Sequence, residues 1–252
     1  MQQPVRASAA PVAVVAATSA AVAVLLLANA LAKAASLKIA CLVTIIAATP
    51  ADLAMEPALE AAGFGTIQVK EALMTVAMCE STCDAIVFSP ADAFGGRNFY
   101  NCSKPMLSSE EGFWRESGMC APGFFKGAGC CQPQAELVVD DETSPLAVGL
   151  SGKVKVFSET RDMSWALRSG LGADAKIAMS FASDTDHVTI FYYCKGGRMH
   201  GGMRAPGLRI AMPPHYGPKE PPLAWNDNGE AVLAAALSML GQEADGMPVT
   251  GC

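Results

Sequence analysis

Side chains that could bind a ligand or move a proton follow three apolar segments of the sequence, at the point where each segment ends. They are Ser89, Asp92, Glu110, Glu111, Trp114, His215 and Tyr216. Carboxylates, an imidazole and aromatic rings can together hold a sugar through hydrogen bonds and stacking. Two acids can also act as general acid and base in the cleavage of a glycosidic bond. Glu110, Glu111 and His215 are therefore the catalytic candidates, and the other four residues are the ligand-binding candidates.

The acidic pair also has a simpler interpretation. Side chains of adjacent residues point in different directions in a helix or a strand. Glu110 and Glu111 could therefore cap or flank a solvated turn without sharing any chemistry. Trp165, a lone aromatic residue after a polar segment, is expected to pack against a sheet.

The elements that must position these residues alternate between strand and helix. Residues 37–46, 66–69 and 84–89 are short and apolar, as is typical of strands buried on both faces. Residues 51–62 carry apolar side chains at helical spacing and are followed by Gly63, which favours the end of a helix. Residues 71–83 form a second helical segment. This alternation with short connections predicts an open α/β sheet, whose ligands bind outside the carboxyl ends of the strands.

The second half of the sequence predicts further strands and one closing helix. The expected strands are residues 104–107, 135–140, 154–157, 176–181, 188–193 and 208–212. Residues 229–240 place apolar side chains on one face of a helix, whereas residues 91–134 have no regular pattern and are expected to be irregular. We therefore expect a three-layer α/β sandwich with a mostly parallel sheet and some antiparallel strands in the second half.

Several segments of the second half carry a family resemblance: residues 143–152 (TSPLAVGLSG), Met163-Ser164-Trp165, residues 188–193 (VTIFYY) and residues 196–202. This succession resembles domains of unassigned function at the ends of bacterial secreted and cell-surface proteins. Those domains are similar to trehalose-utilisation-type proteins and to class I glutamine amidotransferase-like proteins. The resemblance implies a flavodoxin-like fold over a single domain, residues 37–241, followed by a flexible tail, residues 242–252.

The resemblance also implies where chemistry should be sought. Glutamine amidotransferases of this fold use a Cys at a strand-to-helix turn, with a His and a Glu later in the chain. The third predicted strand ends Phe88-Ser89-Pro90-Ala91, with no Cys at the bend, and no His-x-Glu pair follows. Amidotransferase activity is therefore not expected. Trehalose-utilisation-type proteins often carry Gly-His after a late strand, and His215 stands near that place without the Gly.

The amino-terminal segment is expected to direct export. Residues 1–36 contain no Asp or Glu, and residues 11–32 are almost entirely Ala, Val and Leu, followed by small residues. This arrangement is typical of a signal peptide. The alternative is an uncleaved signal anchor, because a run of this length can cross a bilayer. The protein is therefore expected to be secreted or extracytoplasmic, or else a single-pass membrane protein.

Cysteine usage agrees with export. The chain has nine Cys, and loops rich in Gly, Ser and Pro need restraint that disulfides supply. Cys41 lies in an apolar run and is expected to be a buried free thiol. The other eight would form disulfides, whose pairing stays open.

The Cys lack the partners of a usual tetrahedral zinc set, so no metal is expected. Asn101-Cys102-Ser103 is a glycosylation sequon, which predicts an exposed loop.

Charge and motifs exclude several classes of function. The formal net charge is −6 and no basic run is present, so nucleic acid is not an expected partner. The Gly-rich turns lack the spacing of dinucleotide and phosphate loops, and no cofactor is expected.

The leading hypothesis is an exported non-catalytic domain that binds a ligand or partner, such as carbohydrate or a cell-surface molecule. The alternatives are a glycan hydrolase using Glu110 or Glu111 with His215, and a structural protein anchored by residues 11–32.

Overall fold

The computed structural model describes residues 38–44, 49–88, 99–213 and 225–252. Lys38–Cys252 forms one compact unit. The predicted leader, residues 1–36, lies outside the described residues, and its role as signal peptide or anchor stays a prediction. Within the described ranges, no helix combines the length and the apolar character that crossing a membrane requires.

Five parallel strands build the half of the sheet that positions the candidate residues. They are β1 (Lys38–Thr44), β2 (Phe64–Lys70), β3 (Ala85–Phe88), β4 (Met106–Ser108) and β11 (Arg209–Ala211). Their spatial order is β2-β1-β3-β4-β11. The apolar character of these segments fits strands covered on both faces.

Six antiparallel strands extend the same sheet. They are β5 (Ala128–Gln134), β6 (Leu137–Val139), β7 (Lys153–Val154), β8 (Arg161–Leu167), β9 (Lys176–Phe181) and β10 (His187–Tyr193). The strand β10 pairs with β11 on one side and with β9 on the other, and the sheet continues from β9 to β6 and then β7. One end of β10 also pairs with β8, and β8 pairs with β5. The predicted α/β class, with antiparallel strands in the second half, is confirmed. The segment expected to be irregular, residues 91–134, contains β5 and a short helix.

Helices cover both faces of the sheet and complete the three layers. They are α1 (Pro50–Ala61), α2 (Val76–Thr82), α3 (Glu111–Glu116) and α4 (Asp227–Ala244). The side chains of α1 and α4 belong to one core cluster, and those of α2 and α3 belong to the cluster on the opposite face. The predicted helix 71–83 is interrupted, because Thr75 caps α2 from an extended conformation. The closing helix runs to Ala244, beyond its predicted end at residue 240.

The disulfides correct one prediction about the cysteines. Eight of the nine Cys are paired, as Cys41–Cys83, Cys79–Cys102, Cys130–Cys131 and Cys194–Cys252. The free thiol is Cys120 and not Cys41. Cys41 is fully buried, as its apolar neighbours indicate, but it faces α2, where Cys83 closes the helix. Burial alone therefore does not show that a thiol is free.

The amino-terminal side of the strand β11 is fixed by a buried arginine. Arg209 has no exposed surface, and its guanidinium donates to the carbonyl oxygens of Tyr100 (3.1 Å), Cys102 (2.6 Å), Lys104 (2.8 Å) and Leu208 (3.1 Å). Burial lowers the pKa of Arg209 to about 10, so the side chain stays charged at neutral pH. These bonds tie β11 to the segment that leads into β4.

Replacing this arginine should destabilise the fold. We expect Arg209→Met to lower the free energy of unfolding by about 3 kcal/mol, because it leaves buried carbonyl oxygens without their donor. Arg204→Met is the control, since Arg204 is exposed and donates to the single carbonyl of Gly196. The control should change stability by less than about 0.5 kcal/mol. Urea unfolding with disulfides intact measures both, and equal losses would contradict the role given to Arg209.

Candidate functional site

The carboxyl ends of β3, β4 and β11 meet at one edge of the sheet. Val87 of β3 lies opposite Leu107 of β4, and Ala211 of β11 lies opposite Ser108. The three strands therefore end at the same level, as predicted for an edge that binds a ligand. Ser89, Asp92, His215 and Tyr216 follow β3 and β11, but they lie outside the described residues. Of the predicted site residues, Glu110, Glu111 and Trp114 are described.

Glu110 occupies the turn between β4 and α3. Its side chain is 1% exposed, and its Oε1 accepts a hydrogen bond from the backbone N–H of Gly112 (3.2 Å), so Glu110 caps the helix. Its own N–H donates to Ser108 Oγ (3.0 Å). The turn is therefore buried, whereas the simpler interpretation of the sequence expected a solvated one. A carboxylate at a helix start is also favoured by the helix dipole.

Glu111 points to a different part of the structure. Its Oε1 lies 3.6 Å from Nη2 of Arg115, one turn along α3, and its Oε2 accepts a hydrogen bond from Ser164 Oγ of β8 (3.5 Å). The side chain is 3% exposed. The two adjacent carboxylates thus have separate partners, as expected for neighbouring residues. The sequence contains the i, i+4 spacing of Glu111 and Arg115, which favours an ion pair, but nothing in it indicates Ser164.

Trp114 is a core residue and not the open stacking surface that the sequence predicts. It has no exposed surface, its indole N–H donates to the carbonyl of Ser108 (3.1 Å), and its ring meets Phe191 edge-on at 5.4 Å. Trp165 is 5% exposed, but it belongs to a strand of the sheet, β8, instead of packing against the sheet from another element. The error for Trp114 has a physical cause. Its position just after a strand end suggests exposure, but the helical turn of α3 directs its ring back beneath β4.

A buried thiol lies behind this turn. Cys120 is close enough to Glu111 and Arg115 for their charges to act on it, and burial raises the pKa of its thiol to about 12. Tyr193 lies nearby and donates its hydroxyl to the carbonyl of Met119 (2.7 Å) while accepting from the N–H of Gly172 (2.7 Å). Burial raises the pKa of Tyr193 as well. Both groups therefore keep their protons at neutral pH.

A separate cavity of about 570 Å³ lies between α1 and α4. Its lining is mainly small and apolar, including Ala58, Ala62 and Leu233, with Trp225 and Glu230 as its larger members. Of the candidate residues that the structure describes, Glu110, Glu111 and Trp114, none lines it. Within the described part of the chain, no group of three or more His, Cys, Asp or Glu could hold a metal ion. The edge at β4 therefore remains the candidate site.

Comparison with known proteins supports the fold. A protein of Thermoplasma acidophilum described as a candidate GMP synthase subunit has a TM-score of 0.53 and 14% identity, over 83% of this chain and 96% of that chain. This chain has a flavodoxin-like, glutamine amidotransferase-like fold. PurLQS of Thermotoga maritima aligns more weakly, with a TM-score of 0.41 and 14% identity, over 81% of this chain and 99% of that chain. No protein-family model matches the sequence, and no curated protein matches it.

The strand-to-helix turn that the sequence singles out lies outside the described residues. It is the bend after the third strand, within residues 89–98, and it stays a prediction. The described strand that leads within two residues into a helix is β4, through Ser109 and Glu110. None of the nine Cys lies at this turn. Glu110 occupies this described turn as the N-cap of α3.

The state of the cysteines can be checked by thiol titration. Because the thiolate is the reactive form, Cys120 should not react with a thiol reagent in the native protein at pH 8. With a pKa of about 12, only about one thiol in ten thousand would be ionised there. In denaturant without reductant, one thiol should react.

The variant Cys120→Ala serves as the control and should show no reactive thiol under the same denaturing conditions. A reactive Cys41, or rapid labelling of the native protein, would contradict this arrangement. Peptide mapping of the labelled residue distinguishes these outcomes.

Proposed function

We propose that this chain is an exported domain that binds a polar ligand, with carbohydrate as the ligand class, at the edge where β3, β4 and β11 end. The observation that carries this proposal is the β4–α3 turn, where Glu110 stands and no Cys is present. Glutamine amidotransferases of this fold use a Cys at a strand-to-helix turn as their nucleophile. The missing thiol supports binding over that chemistry.

Export is supported by the cysteines and by the sequon. Disulfides persist mainly in oxidising compartments, and eight of the nine Cys are paired. Asn101 is exposed, as a glycosylation site requires. The predicted leader, residues 1–36, agrees with both observations. Together they favour an extracytoplasmic location.

Carbohydrate is favoured by the side chains expected at this edge. Glu110 follows β4 directly, and the sequence adds Ser89, Asp92, His215 and Tyr216 on the segments that follow β3 and β11. Hydroxyl, carboxyl, imidazole and phenol groups can bind sugar hydroxyls through directional hydrogen bonds. The resemblance to trehalose-utilisation-type proteins, which includes His215, agrees with the same ligand class.

Binding can be measured with trehalose and a panel of soluble oligosaccharides. At least one sugar should raise the thermal unfolding midpoint, because a ligand that binds only the native state stabilises it. Glu110→Gln should weaken binding by about tenfold or more, since a hydrogen bond to a charged group is lost while the amide oxygen can still cap α3.

The matched control is Glu142→Gln, which changes an exposed carboxylate and should leave binding unaltered. If the sugars stabilise neither the wild type nor the control, carbohydrate is not the ligand. Equal weakening by both substitutions would remove Glu110 from the site.

A second candidate is hydrolysis of a glycan, and the register of the sheet favours it. The parallel pairing of Ala211 with Ser108 makes β11 end at the same edge as β4, and His215 follows β11 by four residues in the sequence. A carboxyl group and an imidazole at one edge could transfer protons in bond cleavage. This function requires turnover, which the binding function does not.

Turnover of the oligosaccharides separates the two candidates. If the chain is a hydrolase, Glu110→Gln and His215→Ala should each lower kcat by about a hundredfold or more, whereas Glu142→Gln should not. Reducing-end release from each sugar measures this directly. Binding by the wild type without any product would rule out hydrolysis of the bound sugar.

A further inference from the structure

The strand β5 carries a disulfide between two adjacent residues, Cys130 and Cys131. It lies at an irregularity in the pairing of β5 with β8, where the register shifts between Gly129 and Gln132. Cys131 is exposed and has a φ of 63°, a left-handed conformation that residues other than Gly rarely adopt. Cys130 is half-buried. The disulfide therefore sits on the surface, at a bulge in an antiparallel ladder.

This disulfide cannot have the stabilising role of the others. A disulfide stabilises a fold mainly by closing a loop of the unfolded chain, and the effect grows with loop length. The sequence separations are 42, 23 and 58 for the other three disulfides, and 1 for Cys130–Cys131. The vicinal pair therefore removes almost no freedom from the unfolded chain. Its presence at the surface calls for a different explanation.

Access to a reductant separates this pair from two of the other disulfides. Exchange begins when a thiolate attacks a disulfide sulfur, so exposed disulfides are the labile ones. Cys41, Cys79 and Cys102 are fully buried and Cys83 is 2% exposed, so no thiolate can reach these two bonds in the native protein. Cys194–Cys252 is equally accessible, with Cys252 exposed and Cys194 half-buried, but it links the residue after β10 to the end of the chain across 58 residues. Its opening therefore releases a long-range restraint, which the opening of Cys130–Cys131 does not.

The bulge is in contact with a group of aromatic side chains. Gly129, next to Cys130, is paired with Trp165, and a Cβ atom built on Gly129 would lie 2.7 Å from the indole and 3.0 Å from the ring of Phe125. The ring of His187 lies over Trp165 with a centroid distance of 3.9 Å. Phe125 is 62% exposed, and its neighbour Phe124 is 44% exposed. A change in the backbone of β5 would therefore move the surface aromatic pair, Phe124 and Phe125, relative to Trp165.

We propose that Cys130–Cys131 is a thiol–disulfide exchange site whose reduction rearranges the β5 bulge and the aromatic pair packed beside it. A thiolate of a dithiol reductant attacks the exposed sulfur of Cys131, the Cys130–Cys131 bond breaks, and Cys130 leaves as a thiolate and takes up a proton. The second thiol of the reductant then attacks the mixed disulfide and releases Cys131. The dithiol loses two electrons and two protons and becomes a disulfide, and the protein gains both.

The experiment treats the native full-length protein with dithiothreitol, followed by alkylation and peptide mapping over time. Cys130 and Cys131 should be alkylated together, at a rate about tenfold or more above that of Cys194 and Cys252. Cys120 should stay unlabelled because it is buried and its pKa is raised. Reduction of Cys194–Cys252 first, or of all four disulfides in a single step with unfolding, would overturn the proposal.

Tryptophan fluorescence tests whether the reduction is transmitted. Selective reduction should change the emission of the wild type, because Trp165 lies against the residue next to the bulge. The change should be absent in Trp165→Phe, which keeps Trp114 and Trp225, and in the double variant Cys130→Ser with Cys131→Ser. Cys194→Ser with Cys252→Ser is the matched control and should keep the response. Alkylation of both vicinal Cys without any emission change in the wild type would overturn the coupling.

Discussion

The parallel pairing of β4 with β11 is the constraint on which the candidate site depends. These strands have three residues each, and so short a pair gains little from its own ladder. Arg209 compensates by donating to four carbonyl oxygens, one on Leu208 just before β11 and three on the segment before β4. Glu243 of α4 adds a bond from the N–H of Leu208 to its Oε2 (2.7 Å). A buried cation that donates to backbone oxygens thus holds the two strands together at their amino-terminal side, and their register brings their carboxyl ends to one edge.

The β4–α3 turn shows how two neighbouring acids can be buried in one place. Glu110 is stabilised by a backbone N–H at the start of a helix, and Glu111 by Arg115 and Ser164. Each carboxylate has its own polar partners, so neither needs the other or bulk water. Only Glu110 lies at the strand end, whereas Glu111 joins α3 to β8. The acidic pair in the sequence is therefore one candidate ligand group and one structural ion pair.

Helices and strands are predicted well from the sequence where their apolar residues follow one regular pattern along the whole element. The apolar strands β1 and β3 and the amphipathic helices α1 and α4 appear close to their expected bounds. The strands β5 and β8 escape prediction, because Gly, Pro and adjacent Cys in AGCCQPQ, and charged residues in RDMSWAL, give no strand pattern. Their pairing depends on tertiary contacts that periodicity does not contain. The same limit explains why the sequence indicates a free thiol at Cys41 and an exposed ring at Trp114.

The pairing of the cysteines also bears on whether a cysteine could act as a nucleophile. A nucleophilic thiol must be accessible and have a lowered pKa, and such a thiol is readily oxidised. Here the accessible cysteines are all paired, and the one free thiol is buried with a pKa raised to about 12. A carboxylate at the strand-to-helix turn has no such sensitivity, and the helix dipole stabilises its charge. A carboxylate such as that of Glu110 at this turn is therefore compatible with a fold that is held together by disulfides.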